Sequence, residues 1–119
     1  MKQFGFEKLV VWQKSKSLSL SVYLHTKDFP SEEKFGLVSQ MRRASLSISS
    51  NIAEGSARYS KDEKARFTEI AYGSAIELLN QIEISKELGF LSLDNHLNLR
   101  KNISEITAML DGLYKFQKK

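Results

Sequence analysis

The sequence predicts an all-α protein: an antiparallel, up-down-up-down bundle of four helices, assembling into a ring. Three observations carry the prediction. Turn signals are scarce, with one proline and six glycines in 119 residues, whereas an all-β domain of this size needs a turn about every 8–12 residues. Apolar residues recur at spacings of three and four along extended stretches. The few break signals cut the chain into segments 7–26, 31–57, 61–88 and 93–116, and short connections between long helices make up-down-up-down the default topology.

The first segment places Leu9, Trp12, Leu20 and Tyr23 on one side and Val11, Leu18 and Val22 on another. It stops at Asp28-Phe29-Pro30-Ser31-Glu32-Glu33, which joins an X-Pro break, a serine able to cap and two acids in a first turn. The second segment carries Leu37, Met41, Ala44, Ile48 and Ile52 at helical spacing, an ordinary core stripe. Within it, ASLSISSNIAEGS alternates small and apolar residues as a half-buried strand would, and so does SLSLSV at Ser17–Val22. At about 100° per residue the same alternation populates two faces of a helix, and it puts Phe35, Ser39, Leu46 and Ala53 opposite the core stripe. Ser60-Lys61-Asp62-Glu63 fits a capping box and opens the third segment. Phe67, Ala71, Ser74, Leu78, Ile82 and Ser85 form its stripe, with Tyr72, Ile76 and Leu79 on another side. Gly89 follows where a C-terminal glycine is expected, and Ser92 with Asp94 starts the last segment. There Leu99, Ile103, Ile106, Leu110 and Leu113 form one face and the rest is mostly polar.

A four-helix bundle buries one face of each helix, so the second stripes of three segments need another explanation. They are smooth, rich in serine and alanine, and read as subunit interfaces: Val11, Leu18 and Val22; Phe35, Leu46 and Ala53; Tyr72, Ile76 and Leu79. The alternative is a scatter of ordinary surface apolar residues.

Net charge is +4 with a pI near 9.3, and the topology concentrates it. One end gathers Lys2, Lys8, Arg58, Lys61, Lys64, Arg66, Lys115, Lys118 and Lys119 against Glu7, Glu54, Asp62 and Glu63, a surplus of five positive charges. Of these, Arg58, Lys61, Lys64, Arg66, Lys115, Lys118 and Lys119 are the candidates for holding nucleic-acid phosphates, and a solvated charged rim is the competing reading. No aromatic residue interleaves the patch in the manner of single-strand binders, so base reading is not indicated. Arg42 and Arg43 stand alone in an uncharged stretch and are expected to pair with carboxylates such as Glu69, Glu77 or Glu83. Asn51 and Glu54, beside Gly55, are expected to close a helix end by hydrogen bonding.

Other chemistries find no support. Without cysteine there is no disulfide framework or thiolate metal site. No apolar run approaches the roughly 18 residues of a membrane span, and MKQFGFEKL lacks the pattern of a secretion signal. The expected address is a bacterial-type cytosol, with no membrane partner. His25 and His96 have no second ligand at metal spacing. Glu83 and Glu87 lack the Glu-x-x-His of carboxylate-bridged bundles. Gly73-Ser74 lies within a helix rather than in a phosphate loop. A non-enzyme without metal or cofactor is expected.

Five blocks then carry a resemblance: Phe6-Glu7-Lys8-Leu9-Val10-Val11-Trp12-Gln13, Phe29-Pro30-Ser31-Glu32-Glu33, Gln40-Met41-Arg42-Arg43-Ala44, Ser50-Asn51-Ile52-Ala53-Glu54-Gly55 and Ala71-Tyr72-Gly73-Ser74-Ala75-Ile76-Glu77. In this order they resemble the four-helix-bundle proteins encoded in intervening sequences of bacterial 23S rRNA genes, some of which carry a ribosomal-protein label. The fold also looks similar to the accessory protein of diversity-generating retroelements. The resemblance implies an antiparallel four-helix bundle, a homopentamer and binding of RNA or DNA; the alternative is a protein-interaction scaffold for a nucleic-acid enzyme such as a reverse transcriptase, with no direct nucleic-acid role. It implies no catalytic residues.

Overall fold

The computed structural model describes all residues, Met1–Lys119. It contains α1 (Val10–Thr26), α2 (Leu37–Ser56), α3 (Lys61–Glu87) and α4 (Leu93–Gln117), with single 3-10 turns at Gly5–Lys8 and Ser31–Glu33 and no strand. Each helix packs on its neighbours in the chain, and α1 closes the square against α4. At about 1.5 Å per residue, the 27 residues of α3 account for nearly all of the 43 Å long dimension.

The core is one cluster drawn from all four helices. Leu18, Met41, Ile48, Leu78, Ile82, Leu99, Ile103, Ile106 and Leu110 are fully buried within it. Each such side chain contributes about 1.5–3 kcal/mol through removal from water. The stripes expected on α2, α3 and α4 are the buried ones, with Leu37 and Leu113 at the margins.

Along α1 the expected sides hold only at its start, where Leu9 and Trp12 pack against the core. Val11, Leu18 and Val22, expected at a subunit interface, are 6%, 1% and 0% exposed and belong to the core. Leu20 and Leu24 point to solvent instead. The reason is that the inward stripe also holds Ser15, Ser19 and Thr26. Ser15 Oγ donates to the Val11 carbonyl and Thr26 Oγ1 to the Val22 carbonyl, both at 2.7 Å. A hydroxyl bonded to its own helix can be buried without an unsatisfied polar group, so serine on this helix does not mark the outside.

The entry to α2 also differs from the expectation. The helix starts at Leu37 rather than Ser31, because Gly36 takes φ −108°, ψ −113°, outside the helical region. The Glu33 carboxylate reaches forward to accept the Leu37 N–H at 3.3 Å. The other punctuation behaves as expected. Ser60 Oγ accepts from the Glu63 N–H and Ser92 Oγ from the Asn95 N–H, each at 3.1 Å, while Gly89 adopts φ +81° after α3.

Candidate nucleic-acid interface and assembly faces

The end of α2, the start of α3 and the end of α4 meet at one end of the bundle and bring the candidate basic residues together. Close helix approach builds this end. Gly55 is buried, and a Cβ there would lie 2.7 Å from the Phe67 Cβ, so only glycine lets α2 and α3 come together at this point. The guanidiniums of Arg58 and Arg66 lie 4.6 and 4.8 Å from the centre of the Phe67 ring, within cation–π range. Lys64 is half-buried and donates to the Ser56 carbonyl at 3.0 Å, closing the end of α2.

Three of the seven cations have a carboxylate. Arg66 pairs with Glu63 at 3.2 Å, Lys115 with Asp111 at 3.0 Å and Lys118 with Asp62 at 3.2 Å. The hydrogen bond from Lys118 to Asp62 holds this ammonium above the ordinary lysine range. These pairs are exposed and worth about 0–1 kcal/mol each, so a phosphate can displace them. Lys61 donates to the Lys119 backbone oxygen at 3.3 Å, and Arg58, Lys61, Lys64 and Lys119 have no carboxylate partner.

The expectation that no aromatic residue joins the patch is corrected. Tyr59, next to Arg58, is fully exposed, and Phe116, next to Lys115, is 70% exposed. The adjacent pairs Arg58-Tyr59 and Lys115-Phe116 were the signal in the sequence.

Arg42 differs from expectation as well. It has no carboxylate. Its Nε donates to Thr26 Oγ1 at 3.1 Å, a second nitrogen to the Tyr23 carbonyl at 3.3 Å, and the guanidinium lies 4.5 Å from the centre of the Tyr23 ring. Arg43 does meet one of the expected acids, Glu77, but only at 3.9 Å, and it also donates to Gln40 Oε1 at 3.2 Å. Asn51 donates back to the Ser47 carbonyl at 2.8 Å, within α2 rather than across its end. The Glu54 side chain is exposed and takes no part in closing α2; its backbone carbonyl does, accepting from Ala57.

Glu83 is bound instead by α4. His96 Nε2 and Arg100 both reach its carboxylate. The hydrogen bond with His96, aided by the positive charge of Arg100 and Lys86, holds Glu83 below the ordinary carboxylate range despite some desolvation.

The remaining interface candidates are exposed or half-buried, and they sort by face. Phe35 and Leu46 line the α1–α2 groove with Tyr23, and Ala53 follows Leu46 by two helical turns on the same side of α2. Ile76 and Leu79 line the α3–α4 groove with Ile103, and Tyr72 lines its continuation with Leu110 and Tyr114. In a square bundle these grooves are on opposite sides. No helix is long and apolar enough to cross a membrane.

Among solved structures, the chain is similar to a protein of unknown function of the S23 ribosomal protein family from Bacteroides thetaiotaomicron. The TM-score is 0.81 at 21% identity, over 89% of this chain and 99% of that one, which shows a shared fold. No curated protein matches the chain. The family model described as 23S rRNA-intervening sequence protein matches residues 7–112. The chain therefore belongs to the 23S rRNA-intervening sequence protein family.

Proposed function

We propose that this chain assembles head to tail into a closed ring and binds structured RNA or other nucleic acid on the rim formed by its basic ends, catalysing no reaction. The observation that carries the reading is that exposed or half-buried apolar residues line two opposite grooves, Phe35 and Leu46 in one, Tyr72, Ile76 and Leu79 in the other. Two different patches on opposite sides make a heterologous contact, which closes into a ring when the rotation allows. Five copies is the number implied by the resemblance to the retroelement accessory protein. A ring sets every basic end on one rim, so modest binding at each end adds into avidity. The cytoplasm is the compartment that suits a cysteine-free, RNA-binding chain.

The test is native mass spectrometry at near-physiological salt, followed by RNA titration. A closed oligomer is expected, pentamer first, and a monomer at working concentration overturns the assembly. For binding, Arg58→Gln, Lys61→Gln and Lys119→Gln together remove three of the four cations that have no carboxylate, sparing Lys64, which closes the end of α2. RNA affinity unchanged in this variant removes the basic end from consideration.

A second reading is favoured by the internal pairing of Arg66, Lys115 and Lys118: the ring is a scaffold for a nucleic-acid enzyme such as a reverse transcriptase. A purified enzyme of that class retained by the ring after nuclease treatment supports the scaffold. Retention abolished by nuclease supports direct RNA binding. Replacing His25 by alanine leaves either activity intact.

A further inference from the structure

The α1–α2 groove carries a charge that the fold does not answer. Its eight lining residues include Lys34, Arg42 and Arg43 and no acid. Arg42 is half-buried and held in place by Thr26, the Tyr23 carbonyl and the Tyr23 ring. A guanidinium fixed in this way has already lost its rotamer freedom, and a partly desolvated cation gains most from a carboxylate. Only Arg43 has one, at 3.9 Å.

The opposite side of the bundle supplies carboxylates at the same height. Arg43 beside Glu77, and Met41 against Ser85, put Arg42 level with the α3 stretch that contains Glu83. Ser47 bonded to Ser74 puts Leu46 level with the stretch leading to Ile76. Glu83 and Glu87, one turn apart, share a side of α3. Glu83 is turned toward α4 by His96 and Arg100, yet its side chain remains 37% exposed. A carboxylate offers about four acceptor sites, so it can take a further donor.

Resting on the ring reading above, we propose that the contact between neighbouring copies pairs Arg42 of one with Glu83 of the next, in bundles that all point the same way. The occupant of the groove is thus the α3–α4 side of a second copy of this chain. Leu46 then packs near the neighbour's Ile76, and the apolar and ionic contacts form in one register. Glu87, a turn beyond Glu83, comes toward Lys34. An antiparallel neighbour would instead set Arg42 against the far end of the α3–α4 groove and lose this pairing.

The experiment uses the whole chain as wild type, Arg42→Glu, Glu83→Arg and the double variant. Native mass spectrometry reads assembly and circular dichroism checks that each variant folds. Each single reversal is expected to weaken assembly at least tenfold, and the double variant to recover most of it. A role confined to the monomer would give no such recovery. Should Glu83→Arg fail to fold, Glu83→Gln replaces it: the effects of Arg42→Gln and Glu83→Gln on assembly are then expected not to add. A wild-type monomer would defeat the ring reading itself. A wild-type ring that Arg42→Glu leaves intact would overturn this pairing alone. So would a ring in which Arg42→Glu abolishes stabilisation by inorganic phosphate while assembly is unchanged, since the groove would then hold an anionic ligand.

Discussion

Gly55 and Gly73 both lie in helices, yet they tolerate opposite substitutions. A Cβ at Gly55 would meet the Phe67 Cβ at 2.7 Å, and the colliding atom is too close to the backbone to swing away. Gly55→Ala is expected to lower stability by about 1–3 kcal/mol through overpacking. Gly73 is exposed with nothing within 4 Å of the same atom, so Gly73→Ala gains up to about 1 kcal/mol of helix propensity. Urea unfolding midpoints of the two variants should move in opposite directions. Glu83 gives a second residue-scale expectation. Its carboxyl is held below the ordinary range in the folded chain, first by His96. Folding therefore favours the ionised form, and the contribution is complete above about pH 4.3, where an unfolded glutamate ionises. It is lost as pH falls through the lower folded value. Glu83→Gln should melt lower than wild type at neutral pH, with the gap closing as the pH falls through the lower folded value. A gap that stays constant with pH would mean that the charge of Glu83 is not what stabilises.

At the scale of elements, helix starts depend on single side chains. Ser60 Oγ is the partner of the Glu63 N–H at the start of α3, and Ser60→Ala is expected to cost about 1 kcal/mol, visible as a lower melting temperature with unchanged helical content. Its effect should not depend on salt, because a neutral hydroxyl makes the bond. The helices differ in how far the sequence declares them. α3 and α4 were legible because Ser60, Ser92 and Gly89 act locally, and because large aliphatics such as Leu78, Ile82, Leu99 and Ile103 dominate their inward stripes. The inward side of α1 is not legible because Ser15, Ser19 and Thr26 share that stripe, and the bonds of Ser15 and Thr26 to the preceding turn cannot be read from composition. The late start of α2 depends on Glu33 reaching Leu37 across the bend at Gly36, which resembles an ordinary first turn in sequence. The basic end was legible from topology alone. The partners of its cations were not, because Lys118 meets Asp62 and Lys61 meets Lys119 across 56 and 58 residues of chain.

The whole molecule is polar along its length, with the net charge gathered at one end. Binding of RNA there should weaken as salt rises, and each phosphate contact removed should flatten the slope of log affinity against log salt by about 0.7–0.9. The variant lacking Arg58, Lys61 and Lys119 should therefore show both weaker binding and a shallower slope in titrations across a salt series. A lower affinity with an unchanged slope would point to Tyr59 or Phe116 rather than to charge. The hydroxyls lining the interior have a thermal consequence. Ser15, Thr26, Ser45, Thr68 and Ser85 are buried, each bonded to a carbonyl of its own helix. Unfolding exposes these polar groups together with the apolar ones, and polar hydration lowers the heat-capacity change that apolar hydration raises. The bundle should thus fall below the roughly 12–15 cal/mol/K per residue of average domains. Its stability curve is then broad and shallow, and the protein loses little on cooling where a leucine-packed bundle of equal length would lose more.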